Sequence, residues 1–153
     1  MSGRILVIIL VASAAIAGAA MYYLQVYAFF IRLPADTEIR ITAPGAIMAL
    51  PVTITAFEGV DADSSPLRFR ACFRLADVRA LDAAQPVADP QPLVGPRWFS
   101  CYDAGEVSDA LATGQARAVL SEREIARGVD RIIAVWPDGR AVAWHQLNGT
   151  LED

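Results

Sequence analysis

Residues 5–31 carry no Asp, Glu, Arg, Lys or His, whereas every acidic residue and most of the arginines lie beyond them. The chain therefore reads as one long apolar helix ahead of a domain of short elements. At 1.5 Å per residue a helix over those residues is about 40 Å long, against a hydrocarbon core of about 30 Å. It spans with some tilt or an interfacial overhang. Its far end is aromatic: Tyr22, Tyr23 and Tyr27 form an expected interface belt, rings in lipid and hydroxyls in water. In its middle, Ala14/Gly18 and Ala15/Ala19 repeat small residues four apart, with Ala12, Ser13, Ala17 and Ala20 beside them. Such faces let helix backbones approach closely, so other transmembrane helices are expected as partners alongside the bilayer.

Beyond the span, Pro34 disfavours helix at Leu33 and opens a linker over residues 32–37. The domain is expected over residues 38–153. Residues 38–42 alternate and contain Ile and Thr, a strand by pattern, and 47–57 form a second extended run interrupted by Pro51. Residues 58–66 read as a turn region. The strictest alternation lies at 67–75, a half-buried strand with Leu67, Phe69, Ala71, Phe73 and Leu75 on the buried face and Arg68, Arg70, Cys72 and Arg74 on the other.

A short helix is expected over 76–84, then a surface loop carrying Pro86, Pro90, Pro92 and Pro96. Asp103 and Glu106 predict a capped helix stopped by Gly114. Residues 116–120 suggest a short strand, and Ser121-Glu122-Arg123-Glu124 a capping box for one or two helical turns ended by Gly128. The chain closes with a hairpin, 131–136 and 140–147, whose Pro137-Asp138-Gly139 turn favours type I with a bulge. The sum is an α+β fold: a single N-terminal transmembrane helix, then a small domain with an antiparallel sheet and two or three short helices.

Composition adds location. Mean hydropathy is +0.38 and 55% of the 153 residues are apolar, an excess that sits in the span. The α-amine and Arg4 outweigh Arg32, so residues 1–4 are expected in the cytoplasm and the domain in the periplasm of a bacterial inner membrane. The rival is a signal peptide cleaved near Ala17-Gly18-Ala19-Ala20. All 17 acidic residues lie beyond the span and face 11 Arg there, without an Arg cluster. That balance argues against nucleic acid and against electrostatic docking onto anionic lipid.

Candidate chemistry is sparse. Cys72 and Cys101 are the only cysteines, and an exported pair most often forms a structural disulfide; free thiols, redox or metal chemistry are the alternatives. His145 is the only histidine. A Cu(I) site of Cys72, Cys101 and His145 is chemically reasonable, though no spacing argues for it. Gly-x-Ser-x-Gly, a Gly-rich phosphate loop and Cys-x-x-Cys are all absent. No enzyme activity, cofactor or metal is expected.

The ending Val129 to Val135, Pro137-Asp138-Gly139-Arg140 and Trp144 to Asn148, with Trp98 to Asp103 and the anchor, resembles a small uncharacterised family of single-pass alphaproteobacterial membrane proteins. Members are sometimes labelled histidine kinase, and this sequence has none of the motifs that label requires. The resemblance implies no catalytic residues. The expected function is a non-catalytic accessory subunit or assembly factor of an inner-membrane complex, with a cytochrome oxidase or bc1-type respiratory complex as the preferred host. The alternative is a periplasmic copper or thiol carrier using Cys72 and Cys101.

Overall fold

The computed structural model describes residues 3–151. The chain divides into two compact units, the second beginning at Ile31. The first is a helix, α1, over Gly3–Tyr23, extended by a π-helical turn over Leu24–Ala28. Residues 3–28 are long and apolar enough to cross a membrane, and none of α1 is buried. Ile31 and Arg32, which bracket the expected border between span and linker, form strand β1 of the second unit.

That unit holds a six-stranded sheet in the order β1-β4-β5-β8-β7-β6, antiparallel throughout. Its members after β1 (Ile31–Arg32) are β4 (Ile54–Asp61), β5 (Arg70–Leu75), β6 (Arg117–Ala126), β7 (Val129–Val135) and β8 (Arg140–Leu147). A separate pair, β2 (Ile39–Ile41) and β3 (Leu50–Val52), forms a two-stranded sheet. One α-helix, α2 (Ala104–Ala112), and a 3-10 helix (Val78–Ala83) complete the α+β domain.

Alternation sorts the sheet into two faces. Phe69, just ahead of β5, and Ala71, Phe73 and Leu75 of β5 join Ala141, Ala143, Ile133, Val135 and Val119 in one buried layer. Ile39 and Ile41 of β2, with Leu81 and Ala84, cover it. The opposite face carries Arg70, Cys72, Val142 and Trp144, in register across β5 and β8.

Several local expectations hold. Asp103 caps α2 by accepting hydrogen bonds from the backbone N–H of Gly105 and Glu106. Gly114 follows the helix at φ +71°. The β7–β8 turn closes with Trp136 N–H on the Arg140 carbonyl at 2.9 Å and Gly139 at φ +86°. Pro51 sits in the short strand β3, paired only with β2.

Three expectations are corrected. Residues 58–61 are the second half of β4 rather than a turn, because Glu58, Gly59 and Val60 find ladder partners in Cys72, Ala71 and Arg70. The register shift between Thr55 and Glu58 accommodates Ala56 at φ +52°. Residues 121–124 are not helical: β6 runs unbroken from Arg117 to Ala126. Ser121 is fully buried, and its hydroxyl donates to the Arg40 carbonyl at 2.5 Å while its own carbonyl accepts from Thr42 Oγ1 at 2.7 Å. Finally, Arg70 does not lie on a solvated face; it is 3% exposed.

Candidate functional site

Helical geometry rearranges the small residues of α1. At about 100° per residue, Ala14, Gly18, Ala15 and Ala19 cover about 140° of the circumference. Ala12, Ser13, Ala17 and Ala20 fill much of the remainder, and Ile16, 70% exposed, is the one large side chain between residues 12 and 20. The expected face is thus a waist, about 13 Å tall. Among the described residues nothing beyond its own helix lies within 4 Å of where a Gly18 Cβ would stand.

The π-turn acts on the tyrosines. In an α-helix residues five apart point well away from each other, but the wider turn brings them nearly into line. Tyr22 meets Tyr27 edge-on at 6.2 Å between ring centroids, and Tyr23 stacks with Tyr27 at 6.2 Å. All three therefore gather on one side of the helix end.

In the second unit, Cys72 and Cys101 are brought to disulfide distance, with their sulfurs 2.16 Å apart. They border a small pocket of about 180 Å³ with Trp136, Arg140, Glu106 and Val107. His145 is elsewhere. It is the strand neighbour of Trp144, and Trp144 shares the face of Val142 and Cys72. Successive strand residues point to opposite faces, so His145 lies across the sheet from the cysteine pair. The three do not converge. Among the described residues no group of three His, Cys, Asp or Glu side chains is placed to hold a metal ion.

His145 is instead locked in a polar end of the core. Arg131 Nε donates to its Nε2 at 3.0 Å, and its Nδ1 lies 2.6 Å from the Pro66 carbonyl. A guanidinium only donates and a carbonyl only accepts, so the proton is on Nδ1 and the ring is neutral. The ring also stacks on Phe69, 4.5 Å between centroids. Burial, reinforced by the nearby Arg131 and Arg70 cations, pushes the His145 pKa down to about 3. Arg131 lies over Phe69 at 4.3 Å and pairs with Glu122 at 2.7 Å. Asp61 borders the same shallow depression, and burial raises its carboxyl above the ordinary value. Both imidazole nitrogens are spoken for, which gives this cluster a structural character rather than that of an acid–base site.

The residue that the sequence pattern missed is Arg70. Its guanidinium donates to four backbone carbonyls: Leu93 at 2.8 Å, Val94 at 3.0 Å, Leu67 at 2.8 Å and Phe69 at 2.6 Å. It also lies over the Tyr102 ring at 5.5 Å. Burial holds its pKa below the usual guanidinium value, and burial raises that of Tyr102, whose hydroxyl has no hydrogen-bond partner among the described residues. Arg70 and the Cys72–Cys101 link both fasten the proline-containing segment to the sheet. A third fastening is Gln146, whose side chain accepts from Gln91 N–H and donates to the Asp89 carbonyl. The groove beside it, about 580 Å³, is edged by polar groups already engaged with one another, Arg123 with Gln85 and Asn148 with Asp130.

A model of a family of unknown function, DUF6446, matches residues 39–153. The chain belongs to the DUF6446 family. The match covers the folded domain from β2 onward and leaves the apolar helix outside it. No curated protein and no solved structure matches the chain.

Proposed function

We propose that this DUF6446 protein is a single-pass protein of a bacterial inner membrane and serves as a non-catalytic accessory subunit or assembly factor of a larger membrane complex. The waist of α1 carries the reading. In lipid, helices associate through packing rather than the hydrophobic effect, and eight small residues in nine let a neighbouring backbone come close. An anchor with no partner gains nothing from such a waist, since bulkier apolar residues hold a helix in the bilayer equally well. The charge balance across the span supports an N-terminus in the cytoplasm and a periplasmic domain, the compartment in which a Cys72–Cys101 bridge persists. The resemblance to single-pass alphaproteobacterial proteins agrees with that membrane.

The test is purification of the tagged full-length protein in mild detergent, with mass spectrometry of whatever accompanies it. A stoichiometric membrane complex is expected, with cytochrome oxidase or bc1-type complexes the first to look for. Gly18→Leu is expected to remove the partner while the domain stays folded. A protein that emerges alone overturns the subunit reading, and a complex undisturbed by Gly18→Leu overturns the role of the waist.

A further inference from the structure

Between β2 and β3 the chain runs Ala43-Pro44-Gly45-Ala46-Ile47-Met48-Ala49-Leu50-Pro51, nine residues without a polar side chain. Ile47 is 99% exposed, Met48 74% and Leu50 66%. Exposed apolar residues are common singly, but three large ones gathered at the end of one hairpin are not, and such patches mark contact surfaces. The run extends further: from Ile41 to Phe57 there is no charged residue, the longest uncharged stretch of the domain.

We infer that this β2–β3 tip is a second membrane contact, inserting Ile47, Met48 and Leu50 into the interfacial region of the bilayer. The inference rests on the reading of α1 as a membrane anchor, which places a lipid surface within reach of a tethered domain at high effective concentration. Two features of the tip favour lipid over a protein partner. Protein interfaces carry a polar rim and about one hydrogen bond per 100–200 Å², and this tip offers no side-chain donor or acceptor. It also projects as a turn, which enters a headgroup layer without needing a matching cavity. Part of the tip's backbone is already satisfied, which matters where unsatisfied amides are costly. Pro44 and Pro51 have no N–H, Ala46 N–H donates to the Ala43 carbonyl at 3.0 Å, and Leu50 pairs with Ile41. Because no Arg lies in the stretch, insertion is driven by apolar burial and should be insensitive to salt and to the fraction of anionic lipid.

The experiment places one environment-sensitive thiol label in the full-length protein, with Cys72 and Cys101 joined, in phosphatidylcholine nanodiscs. Labels go at Ile47→Cys, at Leu10→Cys in α1, and at Arg79→Cys, whose side chain is 86% exposed. Quenching by lipid-borne spin labels is expected at residues 10 and 47 and not at 79. Adding Met48→Asp and Leu50→Asp should abolish it at 47 alone, with the melting transition of the domain unchanged. Quenching at 10 without quenching at 47 overturns the tip contact while leaving the anchor intact. Absence at both overturns the anchor as well. A shifted emission at 47 that lipid quenchers do not reach, and that grows with copies per disc, assigns the tip to a second copy of the chain and overturns the lipid contact.

Discussion

Arg131 and His145 stand opposite each other across β7 and β8, and the 3.0 Å hydrogen bond from Arg131 Nε to His145 Nε2 fixes the imidazole as neutral. With its pKa near 3 in the fold and its ordinary value at 6.5, His145 takes up a proton more readily in the unfolded chain. Stability should therefore be unaffected by this group above pH 6.5 and fall as pH drops from 6.5 toward 3. The loss approaches about 1.4 kcal/mol per pH unit. Asp61, whose carboxyl is raised by burial, works in the opposite direction as the pH falls. His145→Gln removes the titration, and its urea midpoint should vary less between pH 6.5 and 4 than that of the wild type. All three tryptophans, Trp98, Trp136 and Trp144, lie in the domain, so their fluorescence reports its unfolding in the full-length chain. Parallel pH profiles for the two proteins would remove His145 as the cause.

How much of this was legible in the chain depends on whether the deciding interaction is local. The alternation of Phe69, Ala71, Phe73 and Leu75, the Asp103 cap and the Pro137-Asp138-Gly139 turn are local, and each element formed there, the strand starting only at Arg70. Ser121 obeys a different rule. Its neighbours spell a capping box, yet its hydroxyl bonds to Arg40, 81 residues away, and β7 pairs with β6 on either side of it, at Leu120 and Glu122. Tertiary pairing overrides a local propensity worth a few tenths of a kcal/mol per residue. Arg70 was misread for a related reason: strand period assigns a face, and it does not say what later segment will cover that face. The cysteine pairing followed from counting, whereas the Arg131–His145 contact needed the β7–β8 register.

Arg70 should be the most sensitive single point of the proline-containing segment. Arg70→Met leaves the Leu93, Val94, Leu67 and Phe69 carbonyls without their donor, at a cost of about 3 kcal/mol. Arg70→Lys should not rescue it, because an ammonium on one stem cannot reach four carbonyls arranged for a planar fork. Hydrogen exchange should show the Gln91 and Phe99 amides, which donate to Gln146 Oε1 and the Pro96 carbonyl, losing protection in both variants while β7 and β8 keep theirs. Unchanged exchange in that segment would mean the other fastenings suffice.

Gly139 tests the hairpin. It sits at φ +86°, and an added Cβ would stand 3.3 Å from the Leu75 carbonyl oxygen, which is backbone and has little room to move. Gly139→Ala should cost about 1–2 kcal/mol, combining the left-handed backbone with that contact. A thermal scan followed by tryptophan emission measures it. A variant as stable as the wild type would show that the β7–β8 turn relaxes into another type.

The cysteines separate a structural role from carriage. A bridge across a sequence separation of 29 residues restrains the unfolded chain, and the loop-entropy relation gives about 3–4 kcal/mol for it. Cys72→Ser should lower the urea midpoint accordingly, and dithiothreitol should destabilise the wild type by a similar amount without affecting the variant further. Because Arg70 and Gln146 still hold residues 89–94, the fold should persist at neutral pH rather than collapse. A copper or thiol carrier behaves differently: its cysteines must be free in the working state, so Cys72→Ser would abolish Cu(I) binding by the reduced protein with little change in midpoint. Equilibrium unfolding and Cu(I) titration of the same two proteins therefore decide between them, and an unchanged midpoint with lost metal binding would replace the structural bridge by carriage.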